Sequence, residues 1–343
     1  MSGGLRVLEP GLHTTVQDLG RTGYQAIGVP VSGALDGFGL RLANALVGNP
    51  PGAPALEILL TGPALEVAVD SARIALAGHG AGSSIDGDKS WVVGAGESVT
   101  LPRGAVFRVI AGRESACCYL AVEGGIAVPL VLGSASTYVR AGLGGFEGRA
   151  LRRGDVVQLT IARAPEREEL RLPMPPQAAD RPIRVVLGPQ QECFTEEAVA
   201  TLLAGEFRVS ASADRMGMRL EGPPLRHRDG WDIVSDAIAT GAIQVPGSGQ
   251  PIVLLADHQT TGGYPKIATV ISADLAAVGR RRPGDLLRFA AVTVEIAEQL
   301  CRDQERRFAD LLGSVEPVPR RDRIDHGSLY ADNLISGVVS ARE

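Results

Sequence analysis

Cysteine is scarce in this sequence, and the spacing of the cysteines matches neither a metal site nor a disulfide framework. Four cysteines occur among 343 residues, and none stands in a CxxC arrangement. The sequence therefore predicts neither a disulfide framework nor a zinc site, and we expect a reduced protein of the cytoplasm. Cys117 and Cys118 are adjacent, so in a strand their side chains point to opposite faces, and at least one should belong to a core.

Excess positive charge and long apolar runs are also absent. The formal net charge is −5, and no basic stripe is interleaved with aromatic residues, so we expect no nucleic-acid partner. No apolar segment approaches the length of a membrane span, and the first residues lack a charged stretch followed by an apolar run. We therefore expect no membrane partner either.

Several standard catalytic motifs are missing. The sequence contains no GxxxxGK[ST] phosphate loop, no HExxH metal motif and no GxSxG nucleophile elbow. The five histidines are scattered, and no metal site is predicted. The glycine-rich run at 78–82 follows a strand but does not enter a helix, which excludes a dinucleotide-binding fingerprint. There is no Met-Lys-Met biotin attachment site, so biotin, if used, arrives on another chain.

What is present is the pattern of a turn-rich, mainly β protein with peripheral helices. The chain exceeds the size of one comfortable core, and its 43 glycines and 22 prolines suit many short strands. Capping residues and apolar spacing predict helices over 36–47, 195–203 and 294–312. Strands are predicted at 5–8, 56–60, 65–69, 73–77, 97–101, 106–110, 116–122, 155–160, 252–256 and 267–271.

The second half of the sequence echoes the first. IRVVL at 183–187 resembles LRVL at 5–8, LEGPPL at 220–225 resembles LTGPAL at 60–65, and GRRRPGD at 279–285 resembles GRALRRGD at 148–155. Such a diverged internal repeat predicts two related β domains. A stretch rich in Arg, Glu and Pro separates them as a linker. The expected organisation is a first β domain with an N-terminal segment over 1–160, a linker over 161–182, a second β domain with a C-terminal helix over 183–313, and a tail over 314–343.

One stretch, 243–270, concentrates polar groups between two strands. Its glycines allow positive φ angles and close approach of a ligand to the backbone, so we expect a ligand loop on a β scaffold. The candidate residues there are Asp257, Thr260, Thr261, Gly262, Gly263, Tyr264 and Lys266. Lys266 could neutralise an anionic group of a substrate. The backbone of Gly262 and Gly263 could stabilise a developing oxyanion.

A second polar loop lies near the N-terminus, where Gln17, Asp18, Arg21 and Ser32 are the candidate residues. Ser32 and the following glycine could present N–H groups to an anion, or the serine could simply cap a turn. By composition, an ordinary surface loop with an Asp18–Arg21 ion pair is equally consistent. Asp18, like Asp257 of the other loop, could orient a substrate N–H or act as a base.

Two further candidates are Arg215, which lies between the two loops in the sequence, and Gln244, at the start of the stretch 243–270. Arg215 could hold a carboxylate, or it could form an ion pair with Asp214 or with a neighbouring strand. Gln244 can donate and accept as amide recognition requires, or it could form a hydrogen bond between strands. We expect both polar loops to line one cleft, between the domains or near a partner protein, with these two residues nearby.

Several long strings in the sequence resemble the family of 5-oxoprolinase C subunits, also called allophanate hydrolase subunit 2 or the biotin-dependent carboxyltransferase-like family. They are GLHTTVQDLGRTGY at 11–24, VPVSGALD at 29–36, ANALVGN at 43–49, LTGP at 60–63, DRMGMRL at 214–220 and GAIQVP at 241–246. The resemblance covers roughly residues 5–300. It implies two tandem cyclophilin-like β-barrel domains, in agreement with the internal repeat.

The resemblance also implies a function. A chain of this kind would be the C subunit of an ATP-dependent 5-oxoprolinase, which opens the lactam 5-oxo-L-proline to L-glutamate. It would form a hetero-complex with two further proteins, one like the B subunit of that enzyme and one like its amidohydrolase-like A subunit. ATP follows from the resemblance alone, and it would bind a family-specific pocket or a subunit interface.

Two alternatives are a carboxyltransferase that uses carboxybiotin on another chain to carboxylate an amide such as urea, and a non-catalytic regulatory subunit. The lack of an appended biotin carboxylase or biotinyl segment favours the oxoprolinase.

Overall fold

A computed structural model of the protein describes residues 3–86, 91–172 and 181–318. The first domain is built from two antiparallel sheets, with strand orders β11-β1-β4-β9-β6-β7 and β2-β3-β10-β5-β8. Its strands are β1 (Gly4–Glu9), β2 (His13–Gln17), β3 (Ala55–Leu59), β4 (Ala64–Val67), β5 (Ser71–Ala77), β6 (Gly82–Ile85), β7 (Trp91–Gly94), β8 (Ser98–Pro102), β9 (Val106–Ile110), β10 (Cys117–Val122) and β11 (Val156–Gln158).

The core of the first domain lies between these two sheets. Side chains alternate along each strand, so Leu5 and Val7 of β1 meet Leu56 and Ile58 of β3 in one buried cluster. The opposite face of the second sheet is partly covered by helix α1 (Gly37–Leu46). The carboxylate of Asp36 caps this helix by accepting a hydrogen bond from the backbone N–H of Gly39 at 2.9 Å.

Residues 161–172, the beginning of the predicted linker, pack along the first domain. The Glu169 carboxylate accepts hydrogen bonds from Arg73 Nε at 3.0 Å, Ser98 Oγ at 2.8 Å and Thr100 Oγ1 at 2.6 Å. Strand β12 (Leu170–Arg171) follows it directly. Residues 173–180 of the predicted linker and the part of the predicted tail from residue 319 onward lie outside the described residues.

The second domain is one eight-stranded sheet with the order β21-β14-β15-β18-β17-β20-β13-β22, beside a two-stranded sheet of β16 and β19. Its pairings are antiparallel except the parallel pair β13 and β22. The strands are β13 (Ile183–Leu187), β14 (Phe207–Val209), β15 (Gly217–Glu221), β16 (Asp236–Ala237), β17 (Ala242–Gln244), β18 (Ile252–Leu254), β19 (Thr261–Gly262), β20 (Lys266–Val270), β21 (Leu286–Leu287) and β22 (Phe289–Ala291). The mainly β class with peripheral helices is confirmed.

The second domain also carries helices α2 (Glu196–Ala204) and α3 (Ser272–Gly279). The predicted helix at 195–203 is confirmed, and Thr195 caps it through a hydrogen bond from the backbone N–H of Ala198 at 3.2 Å. Helix α3 was not predicted. Its N-cap residue, Ile271, has no side chain able to cap, although Ser272 and Asp274 in the first turn are residue types found at helix starts.

The last helix of the described residues, α4 (Val294–Gly313), leaves the second domain and packs back on α1 of the first. The rings of Phe308 and Phe38 meet edge to face at 5.3 Å between centroids. The guanidinium of Arg41 binds both carboxylate oxygens of Glu305, at 2.7 and 2.8 Å. Strand β23 (Glu316–Pro317) then pairs with β12. The C-terminal helix therefore ties the two domains together.

Among the described residues, none of the helices combines the length and apolarity that crossing a membrane requires.

Phe308→Ala should lower the free energy of unfolding by about 3–5 kcal/mol, because it removes a buried ring from the contact between α4 and α1. Urea denaturation followed by circular dichroism measures the change. Ile296→Ala on the same helix is the matched control: Ile296 is 48% exposed, so its truncation should change stability by no more than about 0.5 kcal/mol. Equal losses in the two variants would contradict this packing.

Candidate functional site

The second sheet of the first domain presents a row of polar side chains on the face away from its core. In register, Thr15 of β2 lies opposite Glu57 of β3, and Glu57 lies opposite Tyr119 of β10. Their chain neighbours Val16 and Leu56 face the core, so the polar row points outward. All three polar residues are nevertheless buried, because the second domain and α1 cover them.

Arg215 reaches into this row from the second domain. Its Nε and Nη2 atoms donate to the two oxygens of Asp257 at 2.8 and 3.0 Å, and Nη2 also donates to the carbonyl of Gly33 at 2.7 Å. Its Nη1 atom donates to Glu57 of the first domain. Burial alone would lower the pKa of Arg215, but the charges of Glu57 and Asp257 raise it, so the guanidinium stays charged.

The considered ion pair between Arg215 and Asp214 does not form. The Asp214 carboxylate instead accepts hydrogen bonds from the backbone N–H groups of Met216 and Gly217, at 2.8 and 3.1 Å. The position of Asp214 in a tight turn before β15 explains this choice, because its side chain can reach the backbone directly after it.

A chain of hydrogen bonds continues from Glu57 into the first domain. The Tyr119 hydroxyl donates to Glu57 at 2.7 Å and accepts from the backbone N–H of Asp36 at 2.8 Å. Arg280 of the second domain then donates to the Asp36 carboxylate at 2.8 Å. Burial, together with neighbouring negative charge, raises the pKa of Tyr119, so its hydroxyl keeps its proton and acts as a donor.

Asp18 organises its own loop and does not pair with Arg21. Its carboxylate accepts from the backbone N–H groups of Gly20 at 2.7 Å and Ala135 at 2.6 Å, and from the hydroxyls of Ser134 at 2.7 Å and Ser136. The alternative interpretation, an ordinary loop with an Asp18–Arg21 ion pair, is therefore wrong. With four donors from the chain, this carboxylate has little capacity left for a substrate.

Arg21 and Ser32 are buried beside Asp18, at the boundary with the second domain. The Arg21 guanidinium donates to the carbonyls of Val131 at 3.4 Å and Ser136, while its Nη1 atom has no partner within residues 3–86, 91–172 and 181–318. Burial lowers the pKa of Arg21, against the opposing charges of Asp18 and Asp257. This buried cation therefore keeps one unused donor at the domain boundary.

Ser32 carries backbone strain of the kind found at functional sites. Its φ angle is 55°, unusual for a residue other than glycine, and its hydroxyl is buried without a partner in the described part of the chain. Its backbone N–H donates to the carbonyl of Ala256 at 3.0 Å, next to Asp257. Gln17 lies nearer the core of this loop, where its amide donates to Thr15 and to the carbonyl of Thr137 at 3.0 and 3.1 Å.

Lys266 lies in a second cluster, within the second domain. It is 2% exposed, and its Nζ atom donates to an oxygen of Asp236 at 3.2 Å. Gln244 lies opposite Lys266 across the pairing of β17 and β20. The Gln244 amide donates to the carbonyl of Tyr264 at 3.4 Å and accepts from Gln259 at 3.3 Å. These are long contacts, so this amide is only weakly engaged.

The two glycines of the loop at 257–266 do not have the backbone conformation that we expected. Neither Gly262 nor Gly263 adopts a positive φ angle, so that expectation is wrong. A Cβ atom on Gly262 would lie 2.8 Å from the Gln244 amide nitrogen and from the end of the Ile238 side chain, so both side chains would have to shift to accommodate it. Thr260 is half-buried, whereas Thr261 and Tyr264 are exposed at the rim.

The predicted site residues thus fall into two groups that residues 257–259 connect. One group, at the domain boundary, contains Gln17, Asp18, Arg21, Ser32, Arg215 and Asp257. The other contains Gln244, Lys266 and residues 260–264. Between them, His258 is fixed by contacts of its two ring nitrogens with the Gln259 carbonyl at 2.6 Å and the Thr240 hydroxyl at 3.1 Å.

Sequence reasoning missed His13, Glu57 and Asp236 as members of these groups. The signal for Glu57 was a single charge inside the apolar run ALEIL, where a strand buried on both faces has no place for an unpaired carboxylate. His13 faces the same way as Glu57, its Nδ1 atom is buried without a partner in the described residues, and burial lowers its pKa. Asp236 gave no signal, because the segment WDIVSDAIAT at 231–240 contains no motif that points to a site.

No group of three or more His, Cys, Asp or Glu side chains in the described ranges is arranged to hold a metal ion.

Comparison with known proteins places the chain in a family. Residues 27–291 match the carboxyltransferase domain, subdomain A and B. The chain is 37% identical over 313 residues to the 5-oxoprolinase C subunit of Escherichia coli (strain K12), which covers 90% of this chain and 97% of that protein. It is 34% identical over 334 residues to the urea amidolyase of Lachancea kluyveri, which covers 89% of this chain and 18% of that protein.

The same relationship appears in three dimensions. The crystal structure of the K. lactis urea amidolyase matches with a TM-score of 0.83 at 32% identity, over 90% of this chain and 20% of that chain. The chain therefore spans about a fifth of that larger enzyme.

Arg215→Met should lower the free energy of unfolding by about 3–5 kcal/mol, because it leaves Glu57 and Asp257 buried without a cation. Adding Glu57→Gln should restore part of this loss, since it removes one of the two uncompensated charges. Urea denaturation of both variants measures the effect. A double variant no more stable than Arg215→Met alone would contradict the assignment.

Proposed function

The chain belongs to the carboxyltransferase domain family that includes the 5-oxoprolinase C subunit, and we propose that it is the C subunit of an ATP-dependent 5-oxoprolinase. It would act with the A and B subunits to hydrolyse 5-oxo-L-proline to L-glutamate. The observation that carries the proposal is an identity of 37 and 36% to two proteins named as the C subunit of 5-oxoprolinase, over 97 and 98% of their lengths. For two urea amidolyases the identities are 34 and 31%, and the match covers 18% of each.

The second cluster has the chemistry that this substrate requires. 5-Oxoproline carries a carboxylate next to a lactam amide. Lys266 supplies a buried ammonium group for the carboxylate, and the weakly engaged amide of Gln244, opposite Lys266, can both donate to and accept from the lactam. Thr260, Thr261 and Tyr264 would border this site, and the Gly262–Gly263 backbone would approach the ligand.

The group at the domain boundary would position the reacting parts. Asp257 is held on both oxygens by Arg215, so it is suited to orienting a substrate N–H more than to taking a proton. Arg21 and Ser32 keep unused hydrogen-bonding atoms next to it and would contact the substrate from the first domain. Asp18 would act indirectly, by holding the loop that carries Arg21.

ATP enters this proposal as a co-substrate of the assembled complex. The sequence has no phosphate-binding loop, so we assign ATP to a subunit interface or to another protein of the complex. An interface that completes the site should bury more than about 1,000 Å² of surface in total.

A carboxyltransferase acting on an amide such as urea, with carboxybiotin carried by another chain, is the second candidate. The family description and the match to urea amidolyases favour it. Urea, like 5-oxoproline, offers an amide to Gln244, but it has no carboxylate for Lys266. The two candidates differ in the partner that the chain needs.

Reconstitution distinguishes the candidates. The chain is co-expressed with the A and B subunits of the same organism, and ATP hydrolysis and glutamate release are measured with and without 5-oxo-L-proline. The proposal predicts turnover only when all three proteins are present. Carboxyl transfer from carboxybiotin to urea would establish the second candidate. Unchanged turnover by the A and B subunits without this chain would assign it a regulatory role.

In that complex, Lys266→Ala should lower kcat/KM for 5-oxo-L-proline at least about tenfold, or about 1.4 kcal/mol of transition-state stabilisation. The fold should survive, because the partner carboxylate of Asp236 is half-exposed and can be solvated. Arg288→Ala is the matched control, since it removes an exposed cation of the same domain that pairs with Glu206. Unchanged turnover by a correctly assembled Lys266→Ala complex would exclude the assigned role.

A further inference from the structure

The carboxylate of Asp236 occupies the position on Lys266 where the carboxylate of a ligand would bind. One of its oxygens, Oδ2, accepts from Lys266 Nζ at 3.2 Å and from Gln190 Nε2 at 3.0 Å. Its other oxygen accepts from the backbone N–H of Ala237 at 2.8 Å. A cation and an amide that converge on one carboxylate oxygen form the donor set of a carboxylate-binding site.

The orientation of Gln190 shows that this donor set does not depend on Asp236 alone. The side-chain oxygen of Gln190 accepts from the backbone N–H of Lys266 at 3.1 Å, and the backbone N–H of Gln190 donates to the Lys266 carbonyl at 3.1 Å. Because a backbone N–H can only donate, the Gln190 oxygen must face it, and its NH2 group must face Asp236. β20 therefore holds this donor in place.

Exposure differs sharply across this ion pair. The Lys266 side chain is 2% exposed, whereas the Asp236 side chain is 50% exposed. Water can solvate the half-exposed Asp236 carboxylate if it leaves Lys266, so the cost of separating the pair falls on the buried ammonium group. The Lys266 ammonium has no other acceptor among the described residues. If Asp236 turns toward solvent, a buried cation is left that needs an anion.

The segment that carries Asp236 lies at the surface. Residues 231–237 are exposed except Ile233, which is half-buried, and Val234 is 93% exposed. The segment is held by the antiparallel pairing of β16 with β19 and by the contact of the Trp231 and Tyr264 rings. Hydrogen bonds also run from Ile233 N to the Gly263 carbonyl at 2.8 Å and from Ile238 N to the Thr260 carbonyl at 3.1 Å. The Asp236 side chain itself is free to turn toward solvent without breaking these contacts. The segment rests on the same loop that would border the substrate.

We propose that Lys266 and Gln190 form a binding site for a small carboxylic acid that also bears an amide, and that Asp236 covers this site until the ligand displaces it. The choice of 5-oxo-L-proline as the acid rests on the proposed function. The ligand carboxylate takes the place of the Asp236 carboxylate, and the ligand amide meets Gln244, which lies opposite Lys266. Asp236 then moves into solvent, which its exposure permits.

The electrostatics agree with a cover that is closed at neutral pH. Hydrogen bonds from Lys266, Ala237 and Gln190 lower the pKa of Asp236. A carboxyl group with a lowered pKa in the folded state forms its contact above the ordinary aspartate range and loses it as the pH falls through the lowered value. The covering carboxylate is therefore ionised in the range where a ligand carboxylate is ionised, and the two compete for one cation.

Calorimetric titration of the full chain tests the proposal with a matched pair of probes. 5-Oxo-L-proline carries the carboxylate, and 2-pyrrolidinone is the same lactam without it. Asp236→Asn should bind 5-oxo-L-proline at least about tenfold more tightly than the wild type, as expected if the cover is closed at least nine-tenths of the time. Binding of 2-pyrrolidinone should not change.

Two further variants serve as controls. Asp232→Asn removes the same charge from the same exposed segment and should bind as the wild type does. Asp236→Asn combined with Lys266→Met should lose the gain. Equal, weaker or undetectable binding of 5-oxo-L-proline by Asp236→Asn overturns the proposal, as does an equal gain for 2-pyrrolidinone or a gain that persists without Lys266.

The result of this binding test can be distinguished from the result of the turnover test of the proposed function. A gain in Asp236→Asn with no 5-oxo-L-proline turnover in the reconstituted complex rejects the oxoprolinase assignment and keeps the covered site. Turnover without such a gain keeps the enzyme and rejects the cover.

Discussion

The buried guanidinium of Arg215 is the contact on which the arrangement of the two domains depends. It binds Glu57 of the first domain and Asp257 of the second, and both carboxylates are buried with it. Because a guanidinium donates in a fixed planar geometry, it sets direction as well as distance between the strands that carry these acids. The contact between Asp36 and Arg280 and the packing of α4 on α1 reinforce the same boundary.

Exposure separates the roles of the charged pairs in this molecule. Arg215 pairs in a place that water does not reach, so losing a partner is costly and the pair is structural. Lys266 is equally buried, but its partner Asp236 is half in solvent and can be exchanged for another anion. Asp257, which belongs to the rigid contact between the domains, thus lies two residues before Gln259. Gln259 donates a hydrogen bond to Gln244, which lies opposite Lys266 of the exchangeable pair.

Local signals in the sequence were sufficient for the fold class, and non-local contacts decided the site. Asp36 and Thr195 cap helices as their positions predict, because a cap needs only residues within the next turn. Asp18, by contrast, finds its partners Ser134 and Ser136 across more than a hundred residues, which no local pattern can show. The role of Glu57 likewise depends on the cation of Arg215, which lies 158 positions away in the sequence.

Thiol labelling tests the central role of Arg215 most directly. Cys117 faces the domain boundary, where its Sγ atom lies 3.7 Å from the Gly279 carbonyl, while Cys118 lies in the core of the first domain. Burial raises the pKa of Cys118 to about 12 and that of Cys117 well above its ordinary value, so neither should react in the wild type. With the other two cysteines replaced by serine, Arg215→Met should expose Cys117 to a thiol reagent and leave Cys118 protected. Continued protection of Cys117, or labelling of both at one rate, would contradict the account.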